Sequence, residues 1–142
     1  MTIGRIIANR KQDIVHCSPQ ASVREAASLL AERRIGALPV LSDSEVVGIF
    51  SERDLLYCVA RDGEVVLGRQ VSEVMTSPAI TVDPSTSVLE AASLMTERRI
   101  RHLPVIENGR LVAFISIGDI VKFRLEQVEG EAQAMRDYIR TA

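Results

Sequence analysis

Ser22-Val-Arg-Glu-Ala-Ala-Ser-Leu29 recurs 65 residues later as Ser87-Val-Leu-Glu-Ala-Ala-Ser-Leu94. Working outward without a gap, Glu32-Arg-Arg-Ile35 falls on Glu97-Arg-Arg-Ile100, Leu38-Pro-Val40 on Leu103-Pro-Val105, and Ser51 and Asp54 on Ser116 and Asp119. Between residues 22–55 and 87–120, 17 of 34 positions are identical, where unrelated sequence gives roughly two. The chain is two copies of one unit, so its fold is the fold of that unit and the way two of them pair.

Each copy opens with a Ser-x-x-Glu capping box, Ser22 to Glu25 and Ser87 to Glu90, and continues with apolar residues at helical spacing: Val23, Ala26, Ala27 and Leu30, then Val88, Ala91, Ala92 and Met95. An amphipathic helix of about three turns is predicted in each. Arg33-Arg34 and Arg98-Arg99 follow, cations suited to the negative end of the helix dipole. The period then changes. Leu38 to Leu41 and Val46 to Phe50 are short β-rich runs joined by a polar turn at 42–45, and Leu103 to Ile106 and Leu111 to Ile115 bracket Glu107-Asn-Gly-Arg110, whose Asn-Gly is a strong hairpin signal. Ser51 and Ser116 each start a further helix. The last one is predicted to run through Arg124 and Glu126 toward Tyr138 with a break near Gly130. A short strand is expected before each first helix, at Asp13 to Cys17 and Ala79 to Val82.

The expected fold class is α+β, with β-α-β-β-α built twice and the halves related by an approximate two-fold axis so that each covers the other. The charged, glycine-bearing stretch Arg61 to Gln70 is the expected seam. It divides the chain into residues 1–66, a first repeat with its N-terminal segment, and 67–142, a second repeat with its C-terminal helix.

At 142 residues the chain has enough length to bury on the order of 70% of its unfolded surface. Its composition is 46% hydrophobic with only 4% aromatic, which implies an aliphatic core. A net charge of −2 supplies no basic field for a nucleic-acid backbone, and no apolar run is long enough for a membrane span. The start of the chain lacks the features of a secretory signal, and a cytoplasmic protein is expected. Cys17 and Cys58 form no CxxC and have no counterparts in the other copy, which fits small apolar side chains rather than metal or redox chemistry. No P-loop, nucleophile-base pair or metal-ligand cluster is present in the sequence, so an enzyme is not expected.

The unit, with S-V-x-E-A-A in the first helix, L-P-V in the following strand and Ser-x-x-Asp where the last strand meets its helix, resembles the CBS domain, named for cystathionine β-synthase. The tandem pair resembles a Bateman module over essentially the whole chain. The resemblance implies a non-enzymatic regulatory module that senses adenosyl ligands, such as AMP, ADP, ATP, NAD(H) or S-adenosylmethionine, in two clefts near the pseudo-two-fold axis, with no obligatory cofactor. It also implies a homodimer and a regulated partner protein. The rival reading is an interaction module with vestigial clefts that docks a partner through its C-terminal helix.

Within that resemblance the chemistry falls on particular residues. A ribose presents two adjacent hydroxyl donors, for which the short carboxylates of Asp54 and Asp119 are suitable acceptors. Ser51 and Ser116, at helix starts, offer hydroxyl and backbone donors to a phosphate. Gly36-Ala37 in the first copy is replaced by Arg101-His102 in the second, and Gly118 stands opposite Arg53; Arg53, Arg101 and His102 are further phosphate candidates. A histidine with an ordinary pKa near 6.5 would make such binding pH-sensitive. The edges of the first strands and of the L-P-V strands are expected to line the base pocket, which assigns Val15, Cys17, Ile80, Val82, Pro39 and Pro104 to the adenine. Ala113 replaces the family's glycine, which the first copy keeps as Gly48. Beside the ligand reading stands a structural one, since Ser-x-x-Asp is itself a capping-box pattern. Asp is too short to be the preferred reciprocal cap at that position, and this leans toward the ligand.

Overall fold

In the computed structural model, which describes residues 1–8, 10 and 13–141, both octapeptides initiate helices as predicted. Helix α1 spans Ile3–Ile7 and α2 spans Val23–Arg33. Strands β1 (Ala37–Ser42) and β2 (Glu45–Ser51) lead to α3 (Glu52–Asp62) and two 3₁₀ turns, Gly63–Gly68 and Val71–Glu73. The second copy repeats this as α4 (Val88–Arg98), β3 (His102–Glu107), β4 (Arg110–Ser116) and α5 (Ile117–Thr141).

Helices α2 and α4 start on Ser22 and Ser87, whose hydroxyls accept the amides of Glu25 and Glu90. Both helices end alike. Arg34 and Arg99 adopt left-handed backbone, with φ of 53° and 54°, and Ile35 and Ile100 donate back to the carbonyls of Leu30 and Met95. These are Schellman ends with arginine where glycine is commoner. The left-handed turn brings Arg34 and Arg99 into the space between the two copies.

The two strands of each copy pair antiparallel through two-residue turns. All four turn residues have positive φ: Asp43 and Ser44 in the first, Asn108 and Gly109 in the second. This is the twist-matched geometry that Asn-Gly announces, and Asp43-Ser44 reaches it without a glycine. The strands expected before the first helices reduce to single parallel bridges, Cys17 to Val40 and Val82 to Val105. Two hydrogen bonds hold each one: Cys17 donates to the Pro39 carbonyl and accepts from Leu41, and Val82 does the same with Pro104 and Ile106. On the outer edge of β2, Ile49 and Thr76 exchange both backbone bonds at 2.9 Å. Gly48 permits this approach, since a Cβ there would lie 2.9 Å from the Thr76 carbonyl oxygen and 2.6 Å from Met75 Sδ.

Alternation along the strands builds two cores. Leu38, Val40 and Phe50 join Val23, Ala26 and Leu30 in the first, and Leu103, Val105 and Ile115 join Ala91 and Met95 in the second. Each core is completed by the segment that precedes the other repeat. Val71, Val74 and Met75 pack on the first core, and Ile3, Ile6 and Ile7 on the second. The hydrogen bonds match: Val71 donates to the Ala21 carbonyl and Ile3 to that of Thr86, both at 2.8 Å. Packing therefore crosses a boundary at residues 66/67 in both directions.

Helix α5 is continuous over its 25 residues, so the break expected near Gly130 is absent. Nothing approaches Gly130 within 4 Å. A solvated glycine costs a helix only about 1 kcal/mol relative to alanine, too little to break one of this length. Among the described residues no helix is long and apolar enough to cross a membrane.

Candidate functional site

The pleat of β2 turns Phe50 into the core and leaves Ile49 and Ser51 facing the other copy. Ser51 caps α3. Its backbone N–H and hydroxyl donate to Asp54 Oδ2 at 2.9 and 3.0 Å, and the Asp54 amide donates to Ser51 Oγ at 3.2 Å. Ser116 and Asp119 repeat the arrangement at 2.8 and 3.1 Å. Aspartate thus closes both reciprocal boxes, contrary to the expectation that it is too short. The glutamates do so less well, at 3.4 Å for Glu25. Because Oδ2 serves the cap, the structural and ligand readings divide one carboxylate between its two oxygens.

The second oxygen distinguishes the copies. Asp54 Oδ1 accepts the Thr76 hydroxyl at 2.9 Å, a neutral donor that leaves the charge uncompensated. Asp119 Oδ1 forms a 2.7 Å ion pair with Arg10. Burial raises the Asp119 carboxyl, but the Arg10 guanidinium and the Ser116 donors outweigh it and hold the group below the usual carboxylate range.

Two clefts between the copies, related by the pseudo-two-fold axis, contain these carboxylates. The first has a volume of about 420 Å³. Ser51 and Asp54 lie on one wall, Ile49, Ala79 and Ile80 offer an apolar wall, and Arg53, Arg99, Arg101 and His102 also line it. Arg53 reaches across the copies to donate to the Arg99 carbonyl at 2.7 Å. The second cleft, of about 400 Å³, brings Ser116 and Asp119 together with Val15, Ile14 and Arg34. Gly36, Ala37 and His102 line both clefts, Arg101 lines the first, and Phe114 stands in the second where the first has Ile49. The Phe114 ring stacks on His102 with centroids 5.3 Å apart.

Of the base-pocket candidates, Ile80 lines the first cleft and Val15 the second. Cys17 and Val82 belong to the two cores, Pro39 and Pro104 are also buried, and none of the four is among the residues lining the two clefts; they contribute backbone pairing instead. Burial, followed by the charge of Glu25, pushes the Cys17 thiol up to about 11, so it stays protonated at neutral pH. Thr76, Arg10 and Phe114 join the clefts without having been expected from the sequence. Thr76 and Arg10 lie in connecting segments without periodicity. Phe114 did carry a signal, as an aromatic replacing Ile49 in a chain with three phenylalanines.

Burial lowers the pKa of His102, aided by Arg101 and opposed by Asp119 and Glu52. The imidazole is therefore neutral at pH 7, and protonating it costs native stability. The unfolded chain takes up that proton near pH 6.5, so stability is complete above this value and declines as pH falls through it. Chemical denaturation between pH 7.5 and 5 is expected to show this loss, and His102→Asn to flatten it. An unchanged slope in that variant would assign the proton uptake elsewhere.

The CBS-domain family matches residues 4–61 and 71–126, and this chain belongs to it as a tandem pair. It is 35% identical over 129 residues to the mitochondrial CBS domain-containing protein CBSX3 of Arabidopsis thaliana, covering 87% of this chain and 63% of that one. The chain thus spans less than two thirds of that relative. The crystal structure of the CBS-domain protein ATU1752 from Agrobacterium tumefaciens superposes with a TM-score of 0.81 at 40% identity, over 87% of this chain and 92% of that one. CBSX2, solved in complex with AMP, superposes at 0.76 with 31% identity over 88% and 96%.

Proposed function

We propose that the chain is a non-enzymatic regulatory module that binds an adenosyl ligand, AMP foremost, in the first cleft. The observation that carries this is the divided role of Asp54: one carboxylate oxygen closes the helix cap while the other meets only a neutral hydroxyl within a cleft that also holds arginines. A ribose diol is a natural donor to that oxygen. The apolar wall of Ile49, Ala79 and Ile80 suits adenine, and Arg53, Arg101 and the ring N–H of His102 suit phosphate, whereas the Ser51 amide and hydroxyl are committed to Asp54. The AMP complex of CBSX2 supports the same ligand class. ADP, ATP and NAD(H) extend from the same adenosyl core and compete with AMP in this reading.

The second cleft favours the vestigial reading. Its carboxylate is already paired with Arg10, and Arg34 is the one arginine among its lining residues, against Arg53, Arg99 and Arg101 in the first cleft. One adenosyl ligand per chain follows. Transmission to a partner protein requires that the ligand prefer one of two conformations.

Thermal unfolding with AMP, ADP, ATP, NAD⁺, NADH and S-adenosylmethionine tests the proposal. A ligand at 100 times its dissociation constant adds about 2.7 kcal/mol, which raises the midpoint by roughly 5–11 °C for a chain of this size. The expected result is a shift with AMP. No shift across the panel would leave the interaction module as the function.

A further inference from the structure

Beyond Ile120, α5 carries an apolar stripe that no part of the described fold covers. Val121, Leu125, Val128, Ala132, Met135 and Ile139 are spaced 4, 3, 4, 3 and 4 residues apart, the heptad spacing of a coiled-coil seam. All six are exposed, from 47% at Val128 to 66% at Ile139 for those with large side chains. With Leu125, Ala132 and Ile139 at a, and Val121, Val128 and Met135 at d, the positions that touch the body are Ile120 and Gln127 at c and Phe123 at f. At 100° per residue these lie on the opposite side of the helix. The seam therefore faces away from the body, and two chains joined along it keep their bodies apart.

We propose that α5 forms a parallel two-stranded coiled coil with α5 of a second copy of this chain. Charge supplies both partner and direction. In a parallel pair each g residue meets the e residue five positions later on the other helix. Arg124 then meets Glu129, and Glu131 meets Arg136, and symmetry makes each pair twice. An antiparallel pair centred on Gly130 instead places Glu129 against Glu129, Glu131 against Glu131, and Lys122 against Arg136. The flanks thus favour the parallel arrangement and oppose the antiparallel one. The apolar stripe is confined to a and d, and charged residues fill e and g apart from Tyr138, so the seam is too narrow for a bundle of more helices. Gly130 falls at f, on the outer face, where the pairing does not need a side chain.

This inference is independent of ligand binding, because the seam belongs to neither cleft. Light scattering on the full chain is expected to give twice the 15.6 kDa chain mass, and the double variant Leu125→Glu/Ile139→Glu to give the monomer with the unfolding midpoint of the body retained. Arg124→Glu weakens the dimer by about tenfold, and adding Glu129→Arg restores it. Direction is read by Met135→Cys, which forms a disulfide-linked dimer on oxidation only if position 135 meets itself. In the antiparallel pair it sits opposite Leu125, ten residues or about 15 Å away, and the buried Cys17 and Cys58 do not compete. A monomeric wild-type chain, a dimer indifferent to Leu125→Glu/Ile139→Glu, or no cross-link at Met135→Cys would each overturn the proposal. A monomer would leave the stripe to a helix of another protein.

Discussion

Replacing Asp54 with alanine is expected to weaken AMP binding by about 10- to 150-fold, while Asp119→Ala changes it by less than about threefold. The first figure converts the roughly 1.5–3 kcal/mol of a hydrogen bond to a charged group. The second follows from the pairing of Asp119 Oδ1 with Arg10. Both variants lose a cap bond, since each Oδ2 accepts a backbone amide at the start of its helix. Each should therefore lose a similar 0.5–2 kcal/mol of stability, on the scale of a helix cap. Titration calorimetry on folded protein separates the effects. Equal losses of affinity in the two variants would show that Asp54 acts as a cap alone, whereas loss in Asp54→Ala only would assign its Oδ1 to the ligand.

Phe50→Ala is expected to cost about 3–5 kcal/mol of folding stability and to lower the unfolding midpoint by roughly 10–20 °C. Phe50 is the largest fully buried side chain of the first core, with no solvent exposure. Its neighbours Ile49 and Ser51 face the first cleft, so the same strand fixes both core and site. Leu89→Ala, on the solvent face of α4 at 78% exposure, should stay within about 0.5 kcal/mol of wild type. Urea denaturation of the two variants measures both numbers. A loss below about 1 kcal/mol for Phe50→Ala would mean that β2 is held by its hairpin and by Thr76 rather than by packing.

The repeat made most of this legible before any coordinates. Helices α2 and α4 and both hairpins follow from capping boxes, period changes and turn residues that act within a few positions of one another, and the pairing of two copies follows from the repeat itself. Asp54 and Asp119 also stood out in the sequence, because repetition marks a residue even where its role is hidden. What was illegible depends on contacts distant in sequence. The single bridges at Cys17 and Val82 are set by the neighbouring strand, and the crossing of Ile3 and Val71 to the opposite cores leaves no periodic trace. Thr76 and Arg10 reach their carboxylates from connecting segments, so the difference between the two clefts emerges only in three dimensions. The uninterrupted α5 has another cause: one solvated glycine is a weak penalty against 25 residues of helical hydrogen bonding.

Calorimetric titration of the full chain with AMP decides whether each chain holds one adenosyl site, at Asp54. Saturation at one AMP per chain is expected, with the heat lost in Asp54→Ala and retained in Asp119→Ala. Two equivalent sites, or binding that survives in Asp54→Ala and disappears in Asp119→Ala, would rule out a single site at Asp54.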